Sequence, residues 1–170
     1  MNPKPPDFTR TIFLDRSFGG YRLAGLLRKV GIDVHAHKEC SWLNSDAEDQ
    51  VWIPVVTSKG WVIFTSDKRI SKDPVNVRAV MESKAQVIIT IDNGRLPEFW
   101  GAAFLVGRLK IHEILRNNPG PVFIQVSHCS GDHVKIVRQS VTHPQPLTSK
   151  PADAKVQQKA SVADFSYIKF

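Results

Sequence analysis

The sequence contains very little cysteine. Its 170 residues include two cysteines, Cys40 and Cys129, and neither belongs to a CxxC motif. A disulfide framework or a structural zinc site would need closely spaced pairs of such ligands. We therefore expect both thiols to be reduced and structural.

Long apolar runs are also missing. No stretch of about 18 apolar residues offers a membrane span, and the opening MNPKPPDFTR lacks the apolar core of a secretory signal. The hydrophobic content of 42% and the charged content of 23% are typical of a soluble globular protein. We expect a cytoplasmic protein with no membrane partner.

Several well-known site motifs are absent from the chain. It has neither GxGxxG nor GxxxxGK[ST], the glycine-rich loops that bind nucleotide phosphates, and it has no HExxH zinc motif. A phosphatase of the haloacid-dehalogenase kind needs a second aspartate where Ser17 stands. A receiver domain needs a lysine at the last strand end, and residues 125–127 supply none. These enzyme and signalling classes are excluded.

Basic residues exceed acidic ones. Lysine and arginine number 23 against 16 aspartates and glutamates, a formal net charge of +7. An excess of this kind favours association with polyanions such as nucleic acid. It does not by itself identify a partner.

Apolar strands alternate with amphipathic helices along the chain. The predicted strands are 11–15, 32–37, 61–67, 85–92, 121–127 and, as a hairpin partner of the last, 133–139. The predicted helices are 21–30, 47–59, 74–83 and 96–117. In the long helix, an apolar stripe is predicted through Phe99, Phe104, Leu109 and Leu115.

Alternation at this spacing indicates βαβ units and an α/β fold. We predict three layers, α/β/α, with a mainly parallel central sheet of about five strands and a C-terminal hairpin strand. The predicted organisation is an N-terminal arm over 1–10, one domain over 11–139 and a flexible tail over 140–170, whose final ADFSYIKF is apolar enough to dock.

Acidic residues follow several predicted strands. Asp15, Asp67 and Asp92 stand at strand ends, and Asp49 lies at the start of a predicted helix for which Asp46 is a plausible N-cap. Ligands of open α/β sheets bind at the carboxyl ends of the strands. A single aspartate there could simply cap a turn or helix, but several on one edge suggest a shared role.

Carboxylates that converge at one edge repel each other unless a cation neutralises them. Hard oxygen ligands in small number suit Mg²⁺ or Mn²⁺, which retain waters and bind phosphate oxygens. Such ions activate water for phosphodiester cleavage. The combination of a net positive charge with an acidic metal pocket therefore indicates a nuclease.

The stretches FLDRSFG at 13–19 and DQVWIPVVTSKGWVIFTSDKRI at 49–70 resemble the PIN-like domains, in particular the compact group related to VapC toxins of toxin–antitoxin pairs. That family shows an aspartate, a tryptophan or aliphatic residue three positions on, a helix closed by glycine, a buried strand, and then T-x-D before basic residues. The corresponding residues here are Asp49, Trp52, Gly60, Thr65 and Asp67.

The resemblance implies that Asp15, Asp49 and Asp67 are catalytic and bind the metal. It also implies that Thr65 or Ser66 orients a carboxylate or water. Larger members of the family use a further acid in an extra helix that this chain lacks. For that place the candidates are Glu39 and Asp46.

The resemblance further implies an endoribonuclease that cleaves RNA, and a cognate antitoxin protein that blocks the acidic pocket. Arg16, Lys68 and Arg69 adjoin the predicted pocket and are candidates to bind RNA phosphates, or are solvated surface charges. Two alternatives stay open: a catalytically inactive PIN-like module that binds RNA or a partner, and an enzyme for small phosphate esters. A homodimer is a further possibility.

Overall fold

A computed structural model describes residues 8–91, 96–128, 134–139 and 165–168. The strands are β1 (Ile12–Leu14), β2 (Val34–Ala36), β3 (Val62–Thr65), β4 (Gln86–Thr90), β5 (Val122–His128), β6 (Val134–Gln139) and β7 (Phe165–Ile168). The helices are α1 (Arg22–Lys29), α2 (Asp49–Ser58), α3 (Pro74–Ser83) and α4 (Pro97–Asn117). Each predicted helix and strand is therefore present within a few residues of its predicted bounds.

The strands form one sheet in the order β2-β1-β3-β4-β5-β6-β7. The first five pair in parallel, and β6 and β7 add antiparallel pairs at one edge. The α/β prediction of a mainly parallel sheet with a C-terminal hairpin strand is confirmed. β7 extends the sheet by a strand that lies within the predicted tail.

Helices cover both faces of the sheet, as three layers require. On one face, α1 and α4 enclose a core that includes Leu14, Leu27 and Phe104. On the other face, α2 and α3 pack over a second core that includes Phe13 of β1 and Trp52 of α2. Because successive residues of a strand point to opposite faces, Phe13 and Leu14 supply the two cores from one strand.

Helix α2 begins later than the sequence suggested. Asp46 is not its N-cap, because the backbone N–H of Asp46 donates to Asn44 Oδ1 within the preceding turn. Glu48 occupies the N-cap position, and Asp49 is the first helical residue. Gly60 follows the helix with φ of 73°, a left-handed conformation that glycine adopts without steric cost. Asp49 therefore opens the first turn of α2.

The predicted apolar stripe of α4 is only half correct. Phe104 and Leu115 are buried, whereas Phe99 and Leu109 are 42% and 55% exposed. Residues five positions apart differ by about 140° around a helix, so Phe99 and Leu109 both lie well away from the face that carries Phe104. The buried face instead includes Ile111.

Two described segments outside residues 11–139 contact the predicted domain. Phe8, from the predicted N-terminal arm, is buried and packs edge to face on Phe104 with ring centroids 5.2 Å apart. At the other end, β7 pairs with β6. The predicted domain limits otherwise concern segments outside the described residues, as do Asp92 and Cys129. Cys40 is buried with a free thiol.

Among the described residues, no helix combines the length and the apolar character needed to cross a lipid bilayer.

Candidate active site

Strands β1 and β3 lie side by side at the point where the chain order reverses. From β1 the chain leads to β2 on one side, and from β3 it leads to β4 on the other. Open α/β sheets bind ligands in the crevice at such a switch point. A cleft of about 510 Å³ lies there, and its walls are formed by Asp15, Arg16, Ser17, Glu48, Asp49, Gln50, Asp67, Arg69, Asp73, Val75 and Asn76.

Asp15 follows β1 and is 6% exposed. Its backbone N–H donates to Phe64 O over 3.0 Å, which continues the pairing of β1 with β3. Its Oδ2 accepts the Thr65 hydroxyl at 2.8 Å and the Ser17 N–H at 3.3 Å. Its Oδ1 is buried and has no hydrogen-bond partner among the described residues. Asp15 therefore caps a turn, as the simpler interpretation predicted, and still has one oxygen available.

Hydroxyl and backbone N–H groups of Ser17, Thr65, Ser66 and Asp67 connect the ends of β1 and β3. Ser66 N–H donates to Ser17 Oγ at 3.0 Å, and Ser17 Oγ lies 3.1 Å from Thr65 Oγ1. Thr65 has a single hydroxyl hydrogen, which it donates to Asp15, so Ser17 must be the donor to Thr65. Thr65 Oγ1 also accepts the N–H of Asp67 at 3.0 Å. The resulting chain of hydrogen bonds fixes the carboxylate of Asp15.

Asp49 is held from two sides. Its Oδ1 accepts the indole N–H of Trp52 at 3.2 Å, one turn further along α2. Its Oδ2 accepts the amide of Asn76, on α3, at 3.0 Å. The packing of α2 against α3 therefore orients this carboxylate towards the cleft.

Asp67 lies two residues past the end of β3, and Arg69 binds both of its oxygens. Arg69 Nε lies 3.0 Å from each oxygen of Asp67, and Arg69 Nη2 lies 2.6 Å from Oδ2. The backbone N–H of Arg69 donates to Oδ1 at 2.9 Å. Both carboxylate oxygens of Asp67 therefore accept hydrogen bonds from Arg69.

The three acids interact electrostatically. Burial raises the pKa of Asp49, and the nearby charges of Asp15 and Asp67 raise it further. The hydrogen bonds from Arg69 instead lower the pKa of Asp67. The cleft is lined by more acidic than basic side chains, and Arg69 interacts most strongly with Asp67.

Hard oxygen donors of this kind fit a divalent cation. Asp15 contributes a buried oxygen without a partner, and Asp49 has a carboxylate whose ionised form would be stabilised by a cation. Across the part of the chain that the structure describes, however, no three acidic, histidine or cysteine side chains approach closely enough to bind one ion. Both oxygens of Asp67 accept hydrogen bonds from Arg69 instead.

The other candidates for an acidic ligand lie outside the walls of the cleft. Glu39 forms an ion pair with Arg28, whose hydrogen bonds lower the pKa of Glu39, and it also accepts the N–H of Ala36 at 3.0 Å. Asp46 is exposed in the turn before α2. Neither residue lines the cleft.

Two of the three basic candidates line the cleft. Arg16 does so while its guanidinium donates to Ser45 O at 3.0 Å, and Arg69 does so beside Asp67. Lys68 is half-buried and is not among the lining residues.

Sequence reasoning missed several residues of the cleft. Ser17 could have been found from its position two residues after a strand-end aspartate, where a hydroxyl can reach the neighbouring strand. Asn76 and Asp73 carried no such signal, because they reach the cleft through the packing of α3.

Comparison with known proteins agrees with this geometry. Residues 11–91 match the family model described as a PIN-like domain. The chain is also 31% identical over 130 residues to the Mycobacterium tuberculosis protein named "Putative ribonuclease VapC45", and the match covers 75% of this chain and 89% of that protein. No solved structure matches the chain at a significant level.

The matched region contains β1 to β4 and the cleft at their switch point. The resemblance inferred from FLDRSFG and from the 49–70 stretch is therefore confirmed. The chain belongs to the PIN-like domain family, within the group related to VapC ribonucleases of toxin–antitoxin systems.

Proposed function

We propose that the protein is a divalent-metal-dependent endoribonuclease, the toxin component of a toxin–antitoxin pair, acting in the cytoplasm. The observation that carries this proposal is the buried Oδ1 of Asp15, which has no hydrogen-bond partner among the described residues and lies in a cleft shared with Asp49 and Asp67. The similarity to a protein named as a ribonuclease supports it.

In this proposal Asp15, Asp49 and Asp67 hold Mg²⁺ or Mn²⁺. A bound divalent ion would lower the pKa of a coordinated water and offset the charge that develops on the phosphodiester. The hydrogen bond from Thr65 fixes the orientation of Asp15, and Ser66 supports it through Ser17. Hydrolysis then adds water to phosphorus and breaks one ester P–O bond.

The substrate in this proposal is RNA, and basic residues at the cleft position it. Arg16 and Arg69 line the cleft, where guanidinium groups can bind phosphate oxygens bidentately. Lys68 is the weaker candidate because it lies outside the lining. A cognate antitoxin protein would act by covering the acidic cleft.

The cleavage experiment compares Asp15→Asn and Asp67→Asn with Asp33→Asn. Asp33 is exposed and accepts the Thr11 hydroxyl just before β2, at the opposite edge of the sheet from the cleft. We expect the first two variants to fold normally and lose Mg²⁺-dependent RNA cleavage, while Asp33→Asn retains it. Unchanged cleavage by Asp15→Asn would overturn the proposal.

One observation favours a second candidate, a PIN-like module that binds RNA or a partner without cleaving. Both oxygens of Asp67 accept hydrogen bonds from Arg69, and no three potential ligands in the described ranges meet around one ion. Calorimetric titration with Mn²⁺ distinguishes the two candidates. Binding that Asp15→Asn abolishes supports the nuclease, and no binding at millimolar Mn²⁺ supports the module.

A further inference from the structure

Arg69 engages both oxygens of Asp67. Three of its N–H groups donate to the carboxylate: the backbone N–H to Oδ1, the Nε–H shared between the two oxygens, and an Nη2–H to Oδ2. Any cation that binds Asp67 must therefore compete with the guanidinium of Arg69.

The ion pair is exposed on its Arg69 side. The Arg69 side chain is 85% exposed, while that of Asp67 is 21% exposed. An exposed ion pair contributes little, because water solvates the departing charge and the side chain regains rotamer freedom. Displacing Arg69 from Asp67 therefore costs little free energy.

Arg69 lies where a charged substrate would approach. It lines the cleft together with Asp49 and Asp73, and both acids also attract its guanidinium. A divalent cation in the cleft would cancel that attraction and repel the guanidinium. The planar fork that now binds a carboxylate would then match a phosphate group.

We propose that Arg69 is a positioning residue that exchanges partners: it binds Asp67 until a divalent cation takes Asp67, and it then binds a phosphate of the RNA. The proposal rests on the proposed function, since it assigns a cation and RNA to the same cleft. It adds that cation binding and RNA binding reinforce each other through one side chain. Such coupling is reciprocal for the two affinities.

The first experiment measures Mn²⁺ affinity by calorimetry, without RNA. We compare the wild type with Arg69→Gln, and with Lys72→Gln as a control. Lys72 is exposed and close to Arg69 in the chain, and its loss changes the net charge equally. We expect Arg69→Gln to bind Mn²⁺ about two- to fivefold more tightly than Lys72→Gln, the amount that an exposed ion pair contributes.

The second experiment measures affinity for a hydrolysis-resistant phosphorothioate RNA with and without Mn²⁺. In the wild type we expect Mn²⁺ to strengthen RNA binding. In Arg69→Gln, the Mn²⁺-dependent gain in RNA affinity should be several-fold smaller than in Lys72→Gln. The reason is that this variant lacks the guanidinium that would leave Asp67 and bind the RNA phosphate. A direct readout is the Arg69 Nε–H signal in NMR spectra, which should shift as Mg²⁺ is added.

The outcomes separate this inference from the proposed function. If the wild type binds Mn²⁺ but Arg69→Gln binds it no more tightly than Lys72→Gln, the exchange is wrong and the nuclease proposal stands. An equal gain in RNA affinity for both variants also overturns the exchange. If the wild type binds no Mn²⁺, the nuclease proposal fails and the exchange fails with it.

Discussion

The hydroxyl of Thr65 donates to Oδ2 of Asp15 over 2.8 Å, and the contact joins the carboxyl ends of two neighbouring parallel strands. Both residues are buried. The same hydroxyl oxygen accepts the backbone N–H of Asp67 at 3.0 Å. One side chain therefore sets the positions of two of the three acids.

Replacing Thr65 by valine keeps the shape of the side chain and removes the hydroxyl. The N–H of Asp67 and the hydroxyl of Ser17 would then lose a buried acceptor, and Asp15 would lose its shortest hydrogen bond. We expect Thr65→Val to lower the free energy of unfolding by about 1–3 kcal/mol in urea titrations. Thr65→Ser, which keeps the hydroxyl, should lose less. Equal stability of Thr65→Val and the wild type would contradict this account of the network.

Replacing Asn76 by alanine removes one of the two donors to Asp49. The Trp52 indole alone would then orient the carboxylate. Loss of a residue that orients a metal ligand typically reduces metal affinity or activity about 10–100-fold. We expect a decrease of that size in Mn²⁺ affinity, with little change in melting temperature. Val75→Ala, an exposed substitution on the same cleft wall, is the control, and equal Mn²⁺ affinities for both variants would refute the role of Asn76.

The raised pKa of Asp49 has a consequence for stability. Since the folded protein holds this proton more tightly than the unfolded chain, ionising Asp49 costs stability as pH rises from the ordinary value of 3.8 through the folded-state pKa. We expect the free energy of unfolding of the wild type to fall relative to that of Asp49→Asn as the pH rises from 3.8 to 7, measured in urea titrations at each pH. Below pH 3.8 the carboxyl is protonated in both states, so the difference between the two proteins should no longer change with pH. A difference that stays constant as the pH rises to 7 would contradict the destabilising effect of the buried charge.

Glu39, one of the two candidates for a further acidic ligand, forms an ion pair with Arg28 and can be tested by substitution. Because Glu39 lies outside the cleft lining, Glu39→Gln should leave Mn²⁺ affinity and RNA cleavage unchanged. The free energy of unfolding of Glu39→Gln should fall by about 1 kcal/mol, since the side chains of Arg28 and Glu39 are 41% and 29% exposed. A tenfold loss of Mn²⁺ affinity would return Glu39 to the ligand set.

Phe8 tests where the folded domain begins. It is 2% exposed and packs against Phe104 and the ring of His112. Truncating a buried phenylalanine to alanine costs about 3–5 kcal/mol. We expect Phe8→Ala to lose that amount in urea titrations, whereas Thr9→Ala should remain close to the wild type. A small loss for Phe8→Ala would support a domain that begins after the arm.

The sequence allowed the sheet and two of the acids to be predicted, because parallel strands bring their carboxyl ends to one edge. Asp15 and Asp67 follow β1 and β3, two strands predicted to be buried, so strand order alone places both residues at one edge of the sheet. The helix start was harder to predict, since Asp46, Glu48 and Asp49 all suit the first turn and only the turn at Asn44 decides among them.

Contacts between elements could not be predicted in this way. The hydrogen bond from Asn76 to Asp49 depends on how α2 and α3 pack, and no periodic pattern encodes that geometry. The contact between Arg69 and Asp67 could not be predicted either, because a basic residue beside an acid is equally suited to bind RNA. Only the folded structure shows that Arg69 binds Asp67.

The pairing of β6 with β7 has a consequence for shortened forms of the protein. β7 occupies the outer side of β6, so the backbone hydrogen-bonding groups of that side are satisfied within the molecule. A chain cut before Phe165 would leave them open as a template for strands of other molecules. Aggregation of such a truncated form would then reflect a lost edge strand, and would say nothing about the acidic cleft.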